Sequence, residues 1–210
     1  MLTPAQLLQE FITLWVVIDP IGTLPVFLAV TTGMSAAQRR SVAVRAIVVS
    51  FVVLTLFIVL GQIVLEALGL ALPAFQIAGG IVLFLFALSM IFGHSKPEEE
   101  IAEAERVRQT SVFPVAIPSI ASPGAMLTVV ILTDNDRFSI AHQAITTGLM
   151  GLVLLATLAI LLLATPLFRI LGTTGAAVIS RVMGMILAAV AVDAVLRALS
   201  TIGALPALGP

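Results

Sequence analysis

Two short stretches carry most of the residues able to do chemistry in an otherwise apolar chain: Asp19-Pro20-Ile21-Gly22-Thr23-Leu24-Pro25 and Ser122-Pro123-Gly124-Ala125. Each sets a proline and a glycine beside a side chain that carries oxygen. Proline removes a backbone donor and clashes with the preceding turn, so a helix cannot pass through either stretch unbroken. The break leaves N–H and C=O groups without helical partners. In hydrocarbon such groups are tolerated only where protein or a wet cavity covers them. The half-helix beginning after each break aims the positive end of its dipole at that cavity, an arrangement suited to a carboxylate. Gly22 and Gly124 would let a ligand approach the backbone closely. Thr23, Ser122 and Thr128 add hydroxyls. The competing reading is a pair of structural kinks, since proline and glycine are common in membrane helices.

Asp19 is the sharpest single residue. A carboxyl within a membrane span is a functional hypothesis by default: it could carry a coupling proton, hold a cation or contact a substrate ammonium. It could equally be a helix cap, because Asp before a proline marks a helix start. Other polar residues in the apolar stretches have simpler readings. Asp193 and Arg197 are spaced to pair on one helix face, Arg45 and Arg181 to snorkel, and Glu66 to sit at an interface. Gly79, Gly80 and Gly184 read as close-packing positions. His142 reads as a loop residue, and the acidic run from Glu98 to Glu105 as a solvated face.

The elements that must position these residues follow from composition. The 210 residues are 60% hydrophobic and 10% charged, with a mean hydropathy of +1.20. Soluble domains carry roughly 25% charged residues, so this chain uses lipid as part of its solvent. Apolar stretches at about 7–32, 41–68, 73–92, 112–132, 141–163 and 176–199 predict six spans, each near the roughly 20 residues that cross the hydrocarbon core. The first and fourth contain the two breaks. A charged segment at 94–111, with a short surface helix after Pro97, separates a first unit (1–93) from a second (112–210). The first apolar run lacks a preceding basic region and is kept as a mature span. Basic residues cluster in alternate loops, at Arg39, Arg40 and Arg45, at Lys96, Arg106 and Arg108, and at Arg169. The positive-inside rule then sets both termini outside the cytoplasm.

Sliding the chain by about 103 residues lays Asp19-Pro20-Ile21-Gly22 on Ser122-Pro123-Gly124-Ala125 and Gly69 on Gly172. With one extra residue, Gly80-Ile81-Val82-Leu83 falls on Gly184-Met185-Ile186-Leu187. Units of three spans, an odd number, must sit in opposite orientations, which is the inverted-repeat plan of many secondary transporters. The predicted fold is thus an all-α integral membrane protein of six transmembrane helices in two inverted three-helix repeats, with spans one and four broken. The net charge of −1 provides no basic field for nucleic acid. The sequence has no cysteine, and no HExxH, GxSxG or phosphate-binding glycine loop, so neither an enzyme nor a cofactor is expected.

At the breaks the sequence resembles the MarC family. The segment from Asp19 to Phe27 is similar to that family's NPxGNxPxF signature, and Ser122-Pro123-Gly124 to its GPG signature. Asp19 and Thr23 stand where the signature has asparagines, and Ser122 where it has a glycine. The resemblance implies a bacterial or archaeal inner-membrane protein that transports small neutral amino acids such as glycine and alanine. The expected site is Asp19, Pro20, Gly22 and Thr23 with Ser122, Pro123, Gly124, Ala125 and Thr128. The expected partners are an amino-acid substrate, membrane lipid and a coupling proton or cation; a homo-oligomer stays open. Export of another small polar solute, or a scaffold or regulatory role without transport, are the alternatives.

Overall fold

The computed structural model describes residues 3–92, 115–134 and 138–206. The described chain is all helical: α1 (Pro4–Ile18), α2 (Thr23–Val30), α3 (Ala36–Ala67), α4 (Leu72–Phe92), a π turn (Val115–Ile120), α5 (Pro123–Leu132), α6 (Ile140–Leu162) and α7 (Ala164–Thr201). The charged linker and its expected short helix lie outside the described residues, as does Arg137.

Helix starts follow local chemistry. Thr3 and Gln6 form a reciprocal capping box ahead of Pro4, and Ser35 and Gln38 form another at α3. Each box satisfies backbone donors that the first turn leaves without partners. Ser122 caps α5 and Ser139 caps α6 through their side-chain oxygens. The fifth apolar stretch ends where expected, with α6 closing at Leu162 and capped by Leu163. Pro166 lies within the first turn of α7, where proline is tolerated, and the chain turns again at Gly172 (φ 64°, ψ 179°). That conformation is essentially reserved to glycine.

Among the described residues four helical stretches are long and apolar enough to cross a membrane: α3, α4, α6 and residues Ala177–Thr201 of α7. Helices α1 and α5 are apolar but shorter, at 15 and 10 residues. The long helices expose large apolar side chains, among them Val52, Leu56 and Val59 of α3 and Leu152 and Leu155 of α6. Such broad apolar surface needs lipid against it. The protein interior lies at the broken segments. Val16, Val17, Ile18, Leu24 and Val26 around the first break, and Val115, Ala116, Ile120 and Ala121 before the second, are almost wholly buried. Irregular backbone is thereby covered by protein, as a membrane interior requires.

The most extensive helix contact joins α4 to α7. A side chain at Gly80 would meet the Ala191 carbonyl oxygen at 3.1 Å, and one at Gly184 would meet the Ala87 carbonyl oxygen at 3.1 Å. Rising numbers on α4 face falling numbers on α7, so the two helices run antiparallel. The expected close-packing role of Gly80 and Gly184 thus has a definite geometry: each bare face receives a carbonyl oxygen and side-chain carbons of the opposite helix, Val195 at Gly80 and Met90 and Ile91 at Gly184.

Candidate functional site

The first break is built by Asp19. It closes α1 through its backbone N–H, which donates to the Trp15 carbonyl at 3.0 Å. It then takes φ 50°, and no other described non-glycine residue has a positive φ. Asp and Asn are the non-glycine types that best tolerate this region, because their short side chains bond locally. Here the Asp19 carboxylate accepts from the Gly22 N–H at 2.9 Å. A Cβ at Gly22 would collide with that carboxylate. Gly22 therefore makes room for Asp19 rather than for a ligand. The Asp19 carbonyl accepts from both the N–H (3.2 Å) and the hydroxyl (3.1 Å) of Thr23, and Thr23 opens α2. Cap and candidate ligand are thus combined in one residue that is 3% exposed.

The second break uses different parts for a similar end. The π turn ends with the Ala121 N–H donating to the Ala116 carbonyl at 2.9 Å. Ser122 then caps α5 by accepting from the Ala125 N–H at 3.1 Å. Pro123 is exposed and serves as the opening residue of α5. The bare face of Gly124 lies against Leu83 and Val17, so this glycine admits neighbouring helices. Thr128 is buried further along α5.

The two breaks meet. The Ser119 hydroxyl donates to Thr23 Oγ1 at 3.1 Å, with both residues fully buried. Close by in sequence, the Ser50 hydroxyl of α3 donates to the Ala116 carbonyl at 3.2 Å and ties the π turn to a long helix. Sequence reasoning selected Thr23 but missed Ser119. A serine four residues before the proline–glycine pair looks like an ordinary small helix residue, and only the wide π turn brings it to Thr23.

A second buried polar group was also missed. Glu10 of α1 is 7% exposed. Its Oε2 accepts from the Thr146 hydroxyl at 2.8 Å, and its Oε1 lies 2.9 Å from His142 Nε2. The imidazole N–H is not aimed along that line, so this is a close polar contact rather than a well-aligned hydrogen bond. Phe138 stacks on the imidazole, with centroids 4.1 Å apart. His142, expected as a loop residue, stands in the first turn of α6 and joins it to α1. Replacing Glu10 with alanine leaves Thr146 only its longer bond to the His142 carbonyl, at 3.2 Å, and removes the polar contact with the imidazole; stability should fall by about 1–2 kcal/mol. Thermal melting of the detergent-purified variant, beside Glu10→Gln, measures this; equal melting of Glu10→Ala and the parent would show that the cluster contributes nothing. Asp193 and Arg197 form the expected pair at 2.7 Å, about half exposed. Among the described residues no group of three or more His, Asp or Glu is arranged to hold a metal ion.

A family model described as MarC family integral membrane protein matches residues 5–203. The chain belongs to the MarC family. It is 34% identical over 193 residues to the UPF0056 membrane protein YvbG of Bacillus subtilis, covering 89% of this chain and 90% of that one. It is 32% identical over 198 residues to a UPF0056 membrane protein of Archaeoglobus fulgidus, covering 91% of each. It is 30% identical over 185 residues to the UPF0056 inner membrane protein YhgN of Escherichia coli, covering 87% and 90%. No solved structure matches. Membership accords with an integral membrane protein. The geometry also rationalises the three departures from the MarC signatures. Asp19 keeps an acceptor and a tolerance for positive φ, as an asparagine would. Thr23 retains a side chain that bonds back to the break. Ser122 is a helix cap at least as good as the glycine it replaces.

Proposed function

We propose that this MarC protein is a secondary transporter of small neutral amino acids, of the glycine or alanine kind, working by alternating access between two inverted three-helix halves. The observation that carries the reading is the junction of the two broken helices at Thr23 and Ser119, 3.1 Å apart and out of solvent. Polar groups at such depth are costly and mark substrate or ion pathways, and paired broken helices are where such transporters bind their cargo.

The inverted arrangement draws support from two features. Gly69 and Gly172, 103 residues apart, have φ of 67° and 64°. Gly80 meets Ala191 while Gly184 meets Ala87, and both pairs of equivalents are 104 residues apart. Reciprocal contact between equivalent elements is the signature of a two-fold relation. Because α4 and α7 are antiparallel, that axis lies across them. In this reading α1 and α2 together make one interrupted span, and the π turn with α5 makes another, giving six spans with both termini outside the cytoplasm. Substrate carboxylate would be held by backbone N–H groups beside the breaks, and Asp19 would hold the ammonium or carry the coupling proton.

A second reading, a membrane scaffold without a transport cycle, is favoured by the close filling around the breaks, where Asp19 covers Gly22 and Leu83 covers Gly124. Radiolabelled glycine and alanine counterflow in proteoliposomes separates the two. Saturable counterflow competed by unlabelled substrate is expected. Absence of counterflow from folded protein, with no stabilisation by either amino acid, would move the assignment to the scaffold.

A further inference from the structure

One cavity lies away from the junction, and the reading above gives it no role. It has a volume of about 370 Å³, is open on one side, and is lined by Phe27 and Met34, by Arg39 and Arg40 in the first turns of α3, and by Leu161 and Thr165 at the passage from α6 to α7. Its size is within the range of small-molecule sites. Arg39 donates from Nη1 to the Thr165 hydroxyl at 3.2 Å, which fixes the guanidinium across the gap between α3 and α7. Its Nε is buried and has no hydrogen-bond partner among the described residues. Among the described residues neither Arg39 nor Arg40 forms an ion pair. Arg39 is partly buried and Arg40 is exposed, so both charges are open to a ligand entering the cavity. The remainder of the wall is apolar, and Phe27 stands one helical turn beyond Thr23.

We propose that this cavity is a binding site for an oxyanion carried on a small or apolar body, with Arg39 as the recognising residue and Arg40 as a second positive charge. A carboxylate or phosphate meets the planar fork of arginine with two parallel hydrogen bonds, and Arg39 and Arg40 both line the cavity. Phe27, Met34 and Leu161 would cover the apolar part. Two sources carry this chemistry: the headgroup of an anionic lipid, or a free solute anion such as the carboxylate of an amino acid.

The test uses the full chain purified in a neutral detergent, with melting followed during titration at constant ionic strength. The probes are dioctanoyl phosphatidylglycerol, dioctanoylglycerol as the lipid without phosphate, inorganic phosphate, and glycine. A saturable rise in melting temperature with phosphatidylglycerol, absent with dioctanoylglycerol and free anions, assigns the site to a lipid headgroup. A rise with phosphate assigns it to a free anion; a rise with glycine does so only where Arg39→Gln removes it, because glycine is also the cargo proposed for the junction. In either case Arg39→Gln should weaken binding roughly ten- to hundred-fold. Should Arg39→Gln fail to fold, Arg39→Lys, which keeps the charge and loses the fork, and Arg40→Gln take its place, each with weaker binding expected. No response of the parent to any probe, or unchanged binding in the folded variants, overturns the proposal. Because no probe depends on counterflow, failure here and failure of the transport reading are distinguishable.

Discussion

Asp19→Ala is expected to destabilise the protein by about 2–4 kcal/mol, whereas Asp19→Asn stays within about 1 kcal/mol of the parent. Two costs combine in alanine. The backbone at Asp19 has φ 50°, and an alanine there faces the left-handed penalty of about 1–2 kcal/mol with no local bond to offset it. The Gly22 N–H also loses the carboxylate 2.9 Å away, and a buried donor left alone costs about 1–3 kcal/mol. Asparagine keeps both the tolerance for this conformation and a carbonyl acceptor. Unfolding midpoints in mixed detergent, followed by the fluorescence of Trp15, report the difference. Equal losses in the two variants would mean that the charge, not the acceptor, holds the break. Since Asp19→Asn preserves the geometry, it also isolates the proton. Counterflow retained with loss of pH-driven uptake would make Asp19 the proton carrier, and loss of both would make it a substrate contact.

Gly80→Val and Gly184→Val should each lower stability by about 1–3 kcal/mol or more, and by similar amounts. At Gly80 the added carbon would lie 2.6 Å from Val195 Cγ2 and 3.1 Å from the Ala191 carbonyl oxygen. At Gly184 it would lie 2.9 Å from Met90 Cβ and 3.1 Å from the Ala87 carbonyl oxygen. Backbone oxygens cannot rotate away as side-chain ends can, so α4 and α7 must separate. Gly148 of α6 has open space where a Cβ would stand. Gly148→Ala should therefore be neutral or stabilising by up to about 1 kcal/mol. A marked loss for only one of the two valine variants would count against equivalence of the two halves.

Much of this architecture was legible because lipid narrows the choices. Long apolar stretches in water-free surroundings must be helical, and α4 and α6 fall within a residue of the expected spans. The breaks were legible because Pro20 and Pro123 act through covalent geometry, independent of tertiary context. The helical stretch from Ala164 towards Gly172, ahead of the sixth expected span, was less so: a proline after a helix end reads equally as a stop or as part of the next first turn. The site was half legible. Asp19, Thr23 and Ser122 announce themselves by type, but Ser119, Arg39 and the Glu10–His142–Thr146 group acquire meaning only from what faces them across 96, 126 and 136 residues. The roles of Gly22 and Gly124 also turn on neighbours. Both look like openings in sequence, and both are filled by side chains in the fold.

The crossing of α4 and α7 has a mechanical side. At Gly80 and Gly184 each helix seats side-chain carbons of the other, Val195 in one bare face and Met90 and Ile91 in the other, alongside a main-chain oxygen. A joint notched at two points resists sliding along its length, so the two helices hold their register. If the two units rock against each other, this crossing is the fulcrum, and the largest excursions belong to the ends farthest from it.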